Sequence, residues 1–375
     1  MSEYQYYEFL AIDHALTKAD QQELRGMSTR ARITSTSFTN SYQYGSLKGD
    51  PAKMMERWFD MHLYVANWNS RQLMIRLPKR LADHAKLETF LDGIDWVTLK
   101  PSGDNLILDI GGEEVQGADW DDGAGWLAAL VPLRAAVLEG DLRLFYLIWL
   151  WGVAAELIEA DQPEPMAGIG PLNAALGAFA EFFGLDSDLV EAAAERSATA
   201  VPDAVPAREI GRILATMAEA EKTALLARVF EGDPHVRAEL RARIGGDLAA
   251  TAPAMAPRSA GDLLARAGAI AHLRENAAKA KKAAEAAKLA KAAIIIRRAR
   301  LDALVARGEP VWREIEAEIE RRNASGYDRA ACLLADLHAI AGERGAQQEF
   351  SRRLAAILQK HSQKKQFVAR LAGLA

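Results

Sequence analysis

Few side chains in this chain are spaced to do chemistry. Asp13 and His14 follow the strand-like stretch YQYYEFLAI, and strand ends in α/β folds face clefts where a carboxylate and an imidazole can move protons. They are the candidate acid–base pair of a hydrolase or transferase. The histidines, His14, His62, His84, His235, His272, His338 and His361, never pair at the i, i+4 spacing of a metal-binding helix, and no HExxH occurs. Each is expected as a surface or capping residue. Carboxylates adjoin at Glu113-Glu114 and Asp121-Asp122, and Asp119, Asp121 and Asp122 could together hold a cation. The loop lacks the pattern ending in Glu that calcium sites use, so a solvated loop is expected. GIGPLN from Gly168 and DIGGEE from Asp109 lack the residues that cradle phosphate and read as turns; no GxSxG elbow is present. The sequence indicates no catalytic residue set, no metal site and no cofactor.

Two other groups carry binding chemistry. Tyr42, Tyr44, Trp58, Phe59, Tyr64 and Trp68 lie near Arg57, Arg71 and Arg76 in sequence, as on a sheet that stacks single-stranded bases, although a core with an aromatic rim is the favoured reading. The strongest basic feature is Lys279, Lys281, Lys282, Lys288, Lys291, Arg297, Arg298 and Arg300, opposed within residues 276–300 only by Glu285. These cations suit a phosphate backbone, whose affinity is salt-dependent and blind to sequence. The interleaved alanines offer nothing with which to read bases.

Those cations sit on a run from Gly261 to Arg307 dominated by Ala, Lys, Arg, Leu and Glu, the strongest helix formers. Ser259 or Asp262 can cap its start, Gly308 can end it, and Pro310 lies just beyond. A helix of that length spans roughly 65 Å. Between Arg274 and Lys288 every apolar residue is Ala, so that section buries little area on any side. A spacer or a thin coiled-coil seam is expected, with Lys291 and Arg298 interrupting the heptads counted from Ile270.

The chain has 375 residues, enough for two or three domains. Its single cysteine, Cys332, rules out an internal disulfide and a cysteine-based zinc cluster, and AACLLADL makes it a core thiol. MSEYQYYEFL is not a signal peptide, and Leu142 to Ile158 is short for a spanning helix and reads as a buried core helix. The expected location is the cytoplasm, with no membrane partner. The net charge of −5 hides an asymmetry: residues 101–200 hold 18 Asp and Glu against 3 Lys and Arg, and residues 260–375 hold 13 against 22. Such segments can dock on each other within the chain or in a homo-oligomer, or each can meet a separate partner.

The expected fold class is α+β. An N-terminal α/β domain with a small mixed sheet (1–115) precedes a helical acidic domain (124–248) and a Pro-rich linker (249–260). The long basic helix (261–307) and C-terminal helical hairpins (309–375) follow. In the first domain Asp50-Pro51 opens a helix expected to run through MMERWFDMHLYVANW, since Met54, Trp58, Met61 and Val65 recur at helical intervals. WVTLK and NLILDI flank Pro-Ser-Gly-Asp, read as a β-hairpin with a four-residue loop.

The last four helical stretches carry narrow apolar stripes, among them Trp312, Ile315 and Ile319, then Phe350, Leu354 and Ile357. The run Tyr327, Ala330, Leu333, Leu334, Leu337, Gly345, Phe350, Leu354, Leu358, His361, Lys364, Phe367 and Leu371 is similar to a tetratricopeptide-type helical pair. It also resembles the tail that follows the zinc motif in bacterial SWIM zinc-finger proteins, though the motif's cysteines are absent. YYEFLAID, STRARITSTSF, GDPAKMMERWFD and LYVANW resemble an uncharacterised bacterial family, which implies no activity. Trp312, Tyr327, Phe350 and Phe367 are the candidate partner-binding residues. The expected function is a non-catalytic protein-interaction adaptor of the bacterial cytoplasm. The alternatives are nucleic-acid association through the basic helix and the hydrolase or transferase at Asp13 and His14.

Overall fold

A computed structural model describes residues 3–113, 115, 122–196, 207–249 and 256–371. The chain forms two compact units, Met1–Arg274 and Glu275–Ala375.

The first unit begins with β1 (Gln5–Leu10), α1 (Lys18–Met27), β2 (Arg32–Ile33) and β3 (Ser37–Tyr42). There follow α2 (Pro51–Arg57), β4 (Met61–Ala66), β5 (Arg71–Pro78), α3 (His84–Glu88), β6 (Val97–Ser102) and β7 (Asn105–Gly112). Thr17 caps α1 in a reciprocal box with Asp20, and Asp50 caps α2 ahead of Pro51. The strands make one seven-stranded sheet in the order β2-β3-β1-β4-β5-β7-β6. Every pairing is antiparallel, so the sheet is larger than expected and not mixed. Short turns join β2 to β3, β4 to β5 and β6 to β7, which only antiparallel neighbours allow, while β1 pairs with β3 and β4, and β5 with β7, across longer connections. The β6–β7 turn is Gly103-Asp104, with Gly103 at φ 54°, and the expected loop residues Pro101 and Ser102 belong to β6.

The helix expected over 54–68 ends at Arg57, and Met61–Ala66 is a central strand. Five of its six residues are buried, so it shows no alternation from which a strand could be read. DIGGEE likewise begins inside β7 and is not a turn.

Helices α4 (Trp126–Leu138), α5 (Arg143–Ala154), α6 (Ala174–Phe182) and α7 (Ser187–Ala194) come next. Gly140, at φ 90°, turns the chain between α4 and α5, and Asp186 caps α7. One core joins sheet residues Leu63, Val65, Leu73, Ile75, Leu108 and Ile110 to Leu127, Leu130, Phe145, Trp149 and Phe179 of the helices. The boundary expected between 115 and 124 therefore does not separate two cores. α5 is the buried core helix that its composition predicts, with nine of its twelve residues buried. On the opposite face Phe9, Phe38 and Met74 meet Leu24 of α1 and Met54 of α2.

Beyond these lie α8 (Ala207–Thr216), α9 (Glu219–Phe230) and α10 (Val236–Ala249). Of the expected linker, 250–255 lie outside the described residues. Its last residues are anchored: the Arg258 guanidinium donates to Glu164 Oε1 and Oε2 at 3.1 and 2.9 Å, and Tyr146 Oη donates to Glu164 Oε2 at 2.6 Å. Ser259 and Asp262 cap each other's backbone at the start of α11 (Ala260–Arg307), an unbroken helix of 48 residues.

In the second unit α11 ends at Gly308, φ 58°, before α12 (Pro310–Glu320), α13 (Ala324–Arg344), α14 (Gln347–Lys360) and α15 (Lys365–Arg370). Their stripes converge on a core that includes Leu304, Ile315, Ile319, Leu334, Phe350, Leu354 and Phe367. Gly326, in the first turn of α13, passes close to α12, and a Cβ there would meet the Glu318 carbonyl oxygen. Backbone cannot yield as a flexible side chain does. Gly326→Ala is therefore expected to lower stability by about 1–3 kcal/mol, the scale of overpacking, read as a lower midpoint in chemical denaturation; unchanged stability would contradict the close packing.

Candidate functional site

Asp13 lies just after β1, where Asp60 shapes the backbone. Asp60, fully buried ahead of β4, accepts the Ile12 and Asp13 amides on Oδ2 at 2.6 and 2.9 Å. Its Oδ1 accepts Arg76 Nε and Nη2 from β5 at 3.1 and 2.9 Å. Arg134 of α4 completes the group. Its Nη1 and Nη2 donate to Asp13 Oδ1 and Oδ2 at 2.8 and 2.6 Å, and its Nε donates to the Arg76 carbonyl at 2.8 Å. His235, just before α10, sets Nε2 at 3.1 Å from Asp13 Oδ2. Burial opposes the charge on Asp13, yet the His235 and Arg134 bonds outweigh it and hold the carboxyl well below the usual carboxylate range.

A cleft of about 790 Å³ opens beside this cluster, lined among others by Asp13, His14, Thr17, Trp58, Lys79 and His235. Asp13 and His14 both face it, as strand-end placement predicts. However, both Asp13 oxygens are engaged by Arg134, so Asp13 is no free base. Its chemical capacity is to orient His235, and His14 stands exposed beside it. Most cations of its lining are paired: Arg57 with Glu23, Arg76 with Asp60, Arg80 with Asp233. Asp60, Arg134 and His235 were not singled out from the sequence as partners of Asp13. One signal was available: Arg134 is the only charged residue in WLAALVPLRAAVL, and a cation in so apolar a helix needs a buried counter-charge.

Other candidates are placed differently. His62 is not a surface residue: burial pushes its pKa down to about 3, and its ring stacks on Phe9 at 3.9 Å. Trp58 and Phe59 belong to the core, Arg71 is buried and Arg57 lies 4.4 Å over the Trp58 ring, while Tyr44 and Trp68 are exposed. Glu114, Asp119 and Asp121 lie outside the described residues, while Asp122 Oδ1 accepts the Ala124 amide at 3.0 Å. Among the described residues no three His, Cys, Asp or Glu side chains gather as metal ligands would. No described helix is long and apolar enough to cross a membrane.

Three of the four expected partner-binding aromatics are core residues: Tyr327, Phe350 and Phe367 are at most 7% exposed, and Trp312 is half-buried beneath Arg353. Their stripe looked available because the helices that cover it could not be placed from sequence. Cys332 is corrected in the opposite sense. It is exposed, and its Sγ accepts Arg300 Nη2 at 2.9 Å.

The cations of α11 are exposed along the helix. Lys279 pairs with Glu275, Arg298 with Glu343 and Asp302, and Arg300 with Asp336. Lys281, Lys282, Lys288, Lys291 and Arg297 make no ion pair among the described residues. Among them stand Leu289, Ile294, Ile295 and Ile296, each 68% or more exposed. α9 shows a second apolar stripe, Leu226, Val229 and Phe230, all exposed.

No protein family matches the chain, and neither a curated protein nor a solved structure does.

Asp13→Asn should remove the closer of the two carboxylates that pair with the buried Arg134, leaving Asp60 at 3.4 Å, and cost about 2–4 kcal/mol at neutral pH, the lower side of the ~3–5 kcal/mol for breaking a buried pair outright. Because the folded-state pKa of Asp13 is depressed, its contribution is full above about pH 4 and is lost as pH falls below the unfolded value. Urea denaturation of wild type and variant at neutral and acid pH tests this. The difference between them should shrink on acidification, and a constant difference would show that Asp13 is not stabilised as the anion.

Proposed function

We propose that the protein is a non-catalytic adaptor, acting in the cytoplasm of a bacterium, that holds another protein through the middle of α11. The observation that carries this reading is the exposure of Leu289, Ile294, Ile295 and Ile296 on one short stretch of helix. Single apolar residues are common on surfaces, but four large ones close together on one helix support an interaction site. Covering each of these side chains is worth about 1–2 kcal/mol, a fraction of the value for complete burial. The likeness of the C-terminal helices to a tetratricopeptide pair supports the same reading, with those helices as the scaffold and α11 as the contact. A second reading, association with nucleic acid, is favoured by Lys281, Lys282, Lys288, Lys291 and Arg297, which have no ionic partner among the described residues.

Capture from native cells separates the two. Wild-type chain is compared with a variant carrying Ile294→Glu, Ile295→Glu and Ile296→Glu, each with and without nuclease. The exposed positions let the variant keep its helical circular dichroism. The adaptor reading expects a protein that stays bound after nuclease and is absent from the variant. A partner released by nuclease would favour nucleic acid instead, and a variant that captures as well as wild type would end the adaptor reading.

A further inference from the structure

We infer that the partner is an acidic helical protein surface that encloses the middle of α11 from more than one side. This rests on the adaptor reading and names the chemistry of what binds.

Successive residues of an α-helix turn by roughly 100°, so Ile294, Ile295 and Ile296 point in three different directions. Leu289, seven positions before Ile296, returns to nearly the same side as Ile296. All four are largely exposed, so the apolar surface runs around the rod and is not confined to one stripe. Apolar side chains that face several directions all leave water only against a partner that reaches more than one side of the helix. A flat surface touches only part of the circumference and leaves at least one of these isoleucines in water. Two or more helical segments packed around α11 leave none.

Charge selects the sign of the partner. Residues 276–300 carry eight cations and one carboxylate, Glu285. Five of the cations have no ionic partner among the described residues, and they too are distributed around the helix. A second copy would bring the same excess of positive charge against itself, which disfavours self-pairing of this stretch. Acidic side chains flanking an apolar groove would meet the lysines while leucine-like residues cover the isoleucines. The alanines between Asn276 and Lys288 project little, so flanking helices can approach the α11 backbone closely.

The test uses the full chain and a synthetic helical hairpin with leucines on its inner faces and glutamates at the margins. Fluorescence anisotropy of the labelled hairpin gives the affinity. The same hairpin with lysine for glutamate, vesicles containing phosphatidylserine, and a mixed-sequence DNA duplex are the comparisons. The acidic hairpin should bind, more weakly as salt rises, and the lysine hairpin should not. Ile294→Glu, Ile295→Glu and Ile296→Glu, made singly, should each lower affinity by about tenfold or more, because each side is covered. Enclosure is overturned if any one of the three has no effect, or if the acidic hairpin does not bind. Tighter binding to vesicles or DNA than to the hairpin overturns the choice of an acidic protein, as does self-association of the chain that the same substitutions abolish. If capture from cells still succeeds in those cases, the adaptor reading stands and only the enclosing acidic partner fails.

Discussion

A seven-stranded antiparallel sheet whose central strands are buried on both faces constrains the first unit more than any other feature. Such a sheet needs cover on two sides, and the chain supplies it unequally. α1 and α2 cover one face with a modest core around Phe9 and Phe38. The other face takes α4 to α7, and the requirement for a broad apolar lid explains why α5 has apolar residues on every side. What looked like a separate helical domain is the second layer of the same α+β body.

Where this cover must also hold charge, the structure resolves it by pairing. Asp60 and Arg134 would each be costly alone at their depth, and together with Asp13 and Arg76 they satisfy one another across β1, β4, β5 and α4. His235 adds α10 to the same cluster. The result reads first as a joint between the layers. Its exposed edge gives the cleft an oriented imidazole without giving it an evident substrate. The tie between Tyr146, Glu164 and Arg258 plays a similar part at the start of α11, joining a core helix to the chain that leads into the long one.

The middle of α11 follows the opposite logic. Its alanines remove too little apolar area from water to hold it in a core, and its lysines remain in solvent. Helix propensity and exposed hydration suffice to keep it helical, while Leu289 and the three isoleucines are left without cover. The aromatic stripes of the C-terminal helices are consumed in holding those helices to one another.

Local signals were legible where chemistry and geometry act over a few residues. Asp50 with Pro51, and Ser259 or Asp262, announced helix starts, Gly308 an end, and the Ala-Lys-Arg run a long helix. The α+β class followed from strands first and helices after. Alternation fails for a strand buried on both faces, so Met61–Ala66 read as helix, and the pairing of β1 with β3 and β4 and of β5 with β7 joins strands that no short turn connects. Burial is a property of what packs on a residue, and for that reason Tyr327, Phe350, Phe367 and Cys332 could not be sorted in advance. The meeting of Asp13, Asp60, Arg134 and His235 joins residues more than 200 positions apart at its extremes. No spacing rule reaches that far, and only the tertiary fold could bring those charges within hydrogen-bonding distance.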